Sequence, residues 1–188
     1  MTRPFAPLSD TDWPAEIADL HAGFAGQLNV YRLMAHHPDL LRAWTGLRAH
    51  IVQQTALGPV RAEVVILRLA HRLDCAYEWN QHVLRGLKQG LAQDRIAGLR
   101  GDCAQMAAQD AILCRAVDAL LDQSRLSVSQ MQALEASVGR QGVLDLMATV
   151  GMYLTLGFLL NSVSAPLEPE IAAELDRRAP ELRFDALQ

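Results

Sequence analysis

The chain reads as an all-α protein, a compact multi-helix bundle. Three observations carry this: Ala, Leu and Val dominate a sequence that is 51% hydrophobic, aromatics make up only 5%, and apolar residues recur at helical spacing between Pro and Gly punctuation. At 188 residues it has the length of one domain with an N-terminal arm. The boundary falls near residue 28, with 1–28 as an arm of weak helix and 29–188 as the helical domain.

Residues 1–12 hold two prolines among Ser, Thr and Asp and read as extended. Helical periodicity starts weakly at Trp13 and is clear from Asn29 to His36, where His37-Pro38 breaks it. Pro38 suits the first turn of a new helix, in which Leu40, Trp44, Leu47 and Ile51 form a packing stripe. Gly58-Pro59 opens the next, from Val60 to Leu73. Its Val-Val-Ile-Leu run could be a buried strand, but length, the Pro start and periodic charges favour helix.

Asp74 is a candidate N-cap for a helix from Cys75 to about Gly90, packed through Val83, Leu84, Leu87 and Leu91. A short helix follows from Asp94, then a longer one over 105–122. Ser127 to Gln130 has capping-box form, opening a helix with Met131, Leu134 and Val138 aligned. Gly139 and Gly142 bracket a break before Val143–Asn161, in which Gly151 and Gly157 suit close helix approach. A final short helix spans 171–178, after Pro166 and Pro169.

Composition also narrows function. The net charge of −4 is well mixed, with no basic stripe, so nucleic-acid binding has no electrostatic footprint. Three cysteines, Cys75, Cys103 and Cys114, form no CxxC pair, which fits reduced thiols and a cytoplasmic location. The N-terminus lacks a signal-peptide core, and the uncharged run Leu146–Leu160 is shorter than a membrane span, so it reads as a core helix without a membrane partner. No phosphate loop, nucleophile elbow or zinc-helix spacing occurs, and His36-His37 before a proline reads as a helix-end loop; no metal or cofactor is expected.

The candidate chemistry lies between Glu63 and His82. Cys75, Glu78 and His82, at offsets of zero, three and seven, fall within roughly 60° of one another on one helical face. Glu63 can join them from the preceding helix if the chain turns at Asp74. Cys75 in a first helical turn would feel the macrodipole, which lowers a thiol pKa. Glu78 can orient His82 as an i,i+4 partner, and Glu63 adds a second carboxylate for acid–base work. Each residue alone also has a structural reading: a buried small thiol, a surface Glu–His pair, a carboxylate paired to Arg61 or Arg68. Tyr77 and Trp79 flank the set as candidate substrate contacts, Trp79 equally well as a core residue. Met152, Tyr153 and Phe158 could face the same cavity.

The stretch PVRAEVVILRLAHRLDCAYEWNQHVLRGLKQGL resembles the signature of the carboxymuconolactone decarboxylase and alkylhydroperoxidase D superfamily. Alkylhydroperoxidase D proteins show Glu, eleven residues, Cys, two residues, Cys, three residues, His; Glu63, Cys75 and His82 match, and Glu78 stands in place of the second cysteine. Tyr77, Glu78, Trp79 and His82 resemble the decarboxylase-like branch, as do NVYRLMAHHPDLLRAW and the segment Thr149–Asn161. The resemblance implies an alkylhydroperoxidase D-like fold that forms trimers or hexamers with sites near subunit boundaries. It also implies a cofactor-free enzyme acting by acid–base chemistry on a small lactone, keto acid or related carboxylic acid, with His82 as proton donor or base, oriented by Glu78. Without the second cysteine a dithiol peroxidase cycle is not expected. A single-cysteine peroxidase using Cys75, or a non-catalytic ligand-binding scaffold, are the alternatives.

Overall fold

The computed structural model describes residues 5–185, and the first residues of the N-terminal arm lie outside them. Among the described residues there are ten α-helices and no strand. Residues 10–12 and 15–17 are 3-10 turns, followed by the short helices α1 (Ala18–His21), α2 (Phe24–Gln27) and α3 (Asn29–Met34). Then come α4 (Pro38–Ala49), continued by a π-helical turn over His50–Gln54, α5 (Pro59–Arg72) and α6 (Ala76–Lys88). The chain closes with α7 (Gln93–Gly98), α8 (Ala108–Gln123), α9 (Val128–Val163) and α10 (Pro169–Arg178).

Prolines do what their geometry allows: Pro38, Pro59 and Pro169 each sit in the first turn, where a missing N–H costs nothing. The Val-Val-Ile-Leu run is helical, and all four residues are buried because α5 is central, packing against α6, α8 and α9. The capping box at Ser127 is complete: Gln130 N–H donates to Ser127 Oγ at 3.2 Å, and Ser127 N–H donates to Gln130 Oε1 at 2.8 Å. Gly90, at φ 89°, ends the turn after α6.

Four expectations are corrected. Of the stripe Leu40, Trp44, Leu47 and Ile51, only Trp44 and Ile51 pack inward; Leu40 and Leu47 are exposed, and the buried positions of α4 are Leu41 and Arg48. The inner face is taken by Arg48, whose guanidinium lies 3.6 Å from the centre of the Phe24 ring and donates to the Tyr31 hydroxyl at 3.0 Å. Asp74 is not the cap of α6: it occupies the left-handed region at φ 48°, closing α5, and Cys75 takes the cap position.

The break in α9 lies at Gly139 alone, at φ 70° and ψ 172°; helix runs on through Gly142, whose absent Cβ makes room for Val138. Gly157 does admit a neighbour, Leu73, whereas nothing among the described residues lies within 4 Å of where a Gly151 side chain would start. Helix α9 is long and apolar enough to cross a membrane by length and composition. It is interrupted at Gly139, and its buried side packs on α5 and α8.

Candidate active site

Helices α5 and α6 form an antiparallel hairpin through Leu73 and Asp74, and this turn brings Glu63 opposite His82. Glu63 Oε2 lies 2.6 Å from His82 Nδ1, and Glu78 Oε2 lies 3.4 Å from Nε2. The imidazole is therefore held between two carboxylates. The contact with Glu63 is the shorter, so the orienting partner is the carboxylate from the neighbouring helix rather than the i,i+4 carboxylate expected from spacing. Tyr153 from α9 meets the imidazole edge-on at 5.2 Å.

Burial alone would push the His82 pKa down. The charge and hydrogen bond of Glu63, with the hydrogen bond of Glu78, outweigh it and hold His82 above the ordinary imidazole range. Side-chain exposure is 3% for His82, 6% for Glu78 and 12% for Glu63, so Glu63 is the member that water or a ligand reaches first.

What they reach it through is a cavity of about 410 Å³. Glu63, Ala62 and Ile66 supply one wall, His82 and Arg85 another, Tyr153 a third; Ile51, Val52, Gln53, Thr55, Gly58 and Pro59 close it from the segment after α4. That segment is tied to the core by Asp145, which accepts from Ala56 N–H at 2.6 Å and Thr55 Oγ1 at 3.2 Å and pairs with His50 Nε2 at 2.7 Å. Glu78 lies behind His82, on a void of about 10 Å³ shared with Tyr31, Tyr77 and Arg85.

Cys75 is off the cavity. It is fully buried beside Glu78 and Tyr153, in a crevice with no room for water. The expected lowering of its pKa is reversed: burial, reinforced by the Glu78 charge, pushes the thiol up to about 12, against the pull of backbone N–H groups at the helix start. Cys103 donates to Asp118 Oδ2 at 3.6 Å, and all three cysteines are free thiols.

Tyr77 and Trp79 do not line the cavity. The Tyr77 hydroxyl donates to Glu168 Oε1 at 2.6 Å, and Gln81 and the Asn29 N–H also donate to that buried carboxylate. Trp79 is fully buried; its Nε1 donates to the Leu182 carbonyl at 2.7 Å, and Arg100 stacks 4.1 Å from its ring. Asn80 and Phe184 exchange two further bonds, so this face of α6 holds the C-terminal segment. Of the aromatic candidates on α9, Tyr153 lines the cavity, Met152 is in the core and Phe158 faces outward.

Arg85 is the residue that sequence reasoning passed over. It lies one turn beyond His82 on the same face, and the i,i+3 spacing was the available signal.

The sequence profile of the Carboxymuconolactone decarboxylase family matches residues 38–122. The fold is similar to a cysteine-to-alanine variant of the debrominase Bmp8 in complex with 2,3,4-tribromopyrrole, with 15% identity over 94% of this chain and 98% of that one and a TM-score of 0.71. It is also similar to an uncharacterized peroxidase-related protein from Silicibacter sp. TM1040, with 11% identity over 91% and 92% of the two chains and a TM-score of 0.73. Bmp8 without ligand gives a TM-score of 0.67 at 16% identity, over 94% of this chain and 98% of that one. The architecture is thus the alkylhydroperoxidase D-like bundle expected from the sequence. No curated protein matches the chain.

Proposed function

We propose that this chain, whose residues 38–122 carry the carboxymuconolactone decarboxylase family pattern, is an acid–base enzyme for a small lactone, keto acid or related carboxylic acid. One observation carries the reading: His82 is clamped between Glu63 and Glu78 at the wall of a cavity of small-molecule size.

Both imidazole nitrogens face carboxylates, so the group that touches substrate is Glu63, through the oxygen not bound to His82. His82 is the relay and Glu78 the inner reservoir. In a decarboxylation the C–C bond to the departing carboxylate breaks and its electron pair forms an enolate. The enolate carbon then takes a proton from Glu63, which His82 resupplies. In an isomerisation Glu63 removes a proton beside a carbonyl and returns it elsewhere. Positioned proton transfer of this kind contributes roughly 10²–10⁴-fold in rate.

Single-cysteine peroxide chemistry has less support, because a thiolate is the nucleophile and Cys75 is sealed away with its pKa raised to about 12. Hydrogen–deuterium exchange beside the carbonyl of lactones and β-keto acids, followed by NMR, tests the proposal. Glu63→Gln and His82→Ala should each lose the exchange, while Cys75→Ser keeps it. Loss of peroxide consumption in Cys75→Ser, with no exchange in the wild type, would reverse the order of the two readings.

A further inference from the structure

Arg85 lines the cavity beside His82 and Glu63. Among the described residues it makes no ion pair within 4 Å and no side-chain hydrogen bond, although the protein covers much of it. Burial works against its charge, but the nearby Glu63 and Glu78 carboxylates favour it, and it stays cationic. A guanidinium left without a carboxylate at a cavity wall has five donors and a planar fork to offer.

The charges of the site are countable. Glu63 and Glu78 with one proton on His82 carry a net −1, which Arg85 balances through space. Around them, Arg48 is bonded to Tyr31, Glu168 accepts from Tyr77, Asp145 is paired with His50 at the foot of the cavity wall, and Lys88 lines the exposed rim, where water screens its charge. Tyr31, Tyr77 and Tyr153 stay neutral because burial raises all three hydroxyls. A monoanion placed against Arg85 therefore leaves one excess negative charge in a poorly solvated site, and such a charge is costly unless neutralised.

We propose that Arg85 is a specificity-determining residue that takes a carboxylate of the ligand, and that the ligand binds together with one proton captured by the Glu63–His82–Glu78 set. The proposal rests on the cavity being the substrate site, as inferred above. Its consequence is that the anion arms its own acid: the captured proton sits on the set whose most accessible member is Glu63.

Isothermal titration of the full chain with benzoate and with the neutral benzamide tests this without any turnover assay. Runs in phosphate and in Tris buffer at matched pH give the proton count, and circular dichroism checks the fold of each variant. Wild type should bind benzoate at least about tenfold tighter than benzamide, take up about one proton per benzoate, and lose close to tenfold in affinity per pH unit in alkali. Arg85→Met should equalise the two ligands and Arg85→Lys keep part of the preference. Glu63→Gln should keep the preference but lose much of the proton uptake. Absence of benzoate binding, equal affinities in wild type, a preference surviving Arg85→Met, or no proton uptake would each overturn it. The acid–base reading fails separately, if benzoate binds as stated yet no exchange is catalysed.

Discussion

His82 Nδ1 lies 2.6 Å from Glu63 Oε2, a contact made across nineteen residues by the α5–α6 hairpin. It favours the charged imidazole, and from it follows the pH behaviour of the site. The folded pKa of His82 is raised, so its stabilising contribution is complete below the unfolded value of about 6.5 and is lost as pH rises through the folded value. Urea unfolding of wild type and His82→Gln, from about pH 5 to about pH 9, should show the wild-type advantage shrinking with rising pH. An advantage that grows would contradict the assigned charge state.

Cys75 should be inert in the folded protein. With its thiol at about 12 and its surface covered, iodoacetamide at neutral pH should leave it unmodified until the chain unfolds, when all three cysteines label. Mass spectrometry of a labelling time course decides this; rapid modification of native Cys75 would return the thiol to the list of reactive groups.

Asp118 joins α8 to α5. It receives Arg68 through two bonds, at 2.9 and 2.7 Å, and Arg72 at 2.6 Å. Asp118→Asn leaves the buried Arg68 guanidinium underpaired. The expected cost is roughly 2 kcal/mol, below the 3–5 of a fully buried pair because Asp118 is partly solvated. Burial would raise the Asp118 pKa, but the two arginines lower it further than burial raises it. Its contribution is therefore present above the ordinary carboxylate range and lost as pH falls through the depressed folded value. Denaturation midpoints across acid pH for both proteins should converge.

Two glycines of α9 should respond in opposite directions. A Cβ at Gly157 would stand 2.8 Å from Leu73 Cδ1, while at Gly151 it meets nothing within 4 Å. Gly157→Ala should lower stability by about 1–2 kcal/mol through overpacking. Gly151→Ala should raise it by up to about 1 kcal/mol through helix propensity. Thermal melts of the isolated chain would show either sign reversed if the packing differs.

Local chemistry was the legible part of this molecule. Pro38, Pro59, Ser127, Gly90 and Gly139 marked helix ends because a missing N–H, a capping hydroxyl and a positive φ act within a few residues. The shared face of Glu78 and His82 followed from 3.6 residues per turn, and Glu63 was placed by the need for a turn near Asp74. The α4 stripe failed at Leu40 and Leu47 because periodicity reports a face without saying what covers it; Arg48, stacked on Phe24, took the inside. Cys75 failed for a related reason: a macrodipole is a local effect, and desolvation by α5 and α9 is not.

The sequence by itself thus determined the all-helical bundle, most helix boundaries and the juxtaposition of three residues of the candidate site, since these depend on backbone sterics and helical repeat. Tertiary structure alone decided which carboxylate holds His82, that Tyr77 and Trp79 serve the scaffold, that Cys75 is sealed and that Arg85 stands on the cavity with no ion-pair partner among the described residues. Those outcomes depend on distance and solvent exclusion between segments far apart in the chain, and electrostatic energies are set by both.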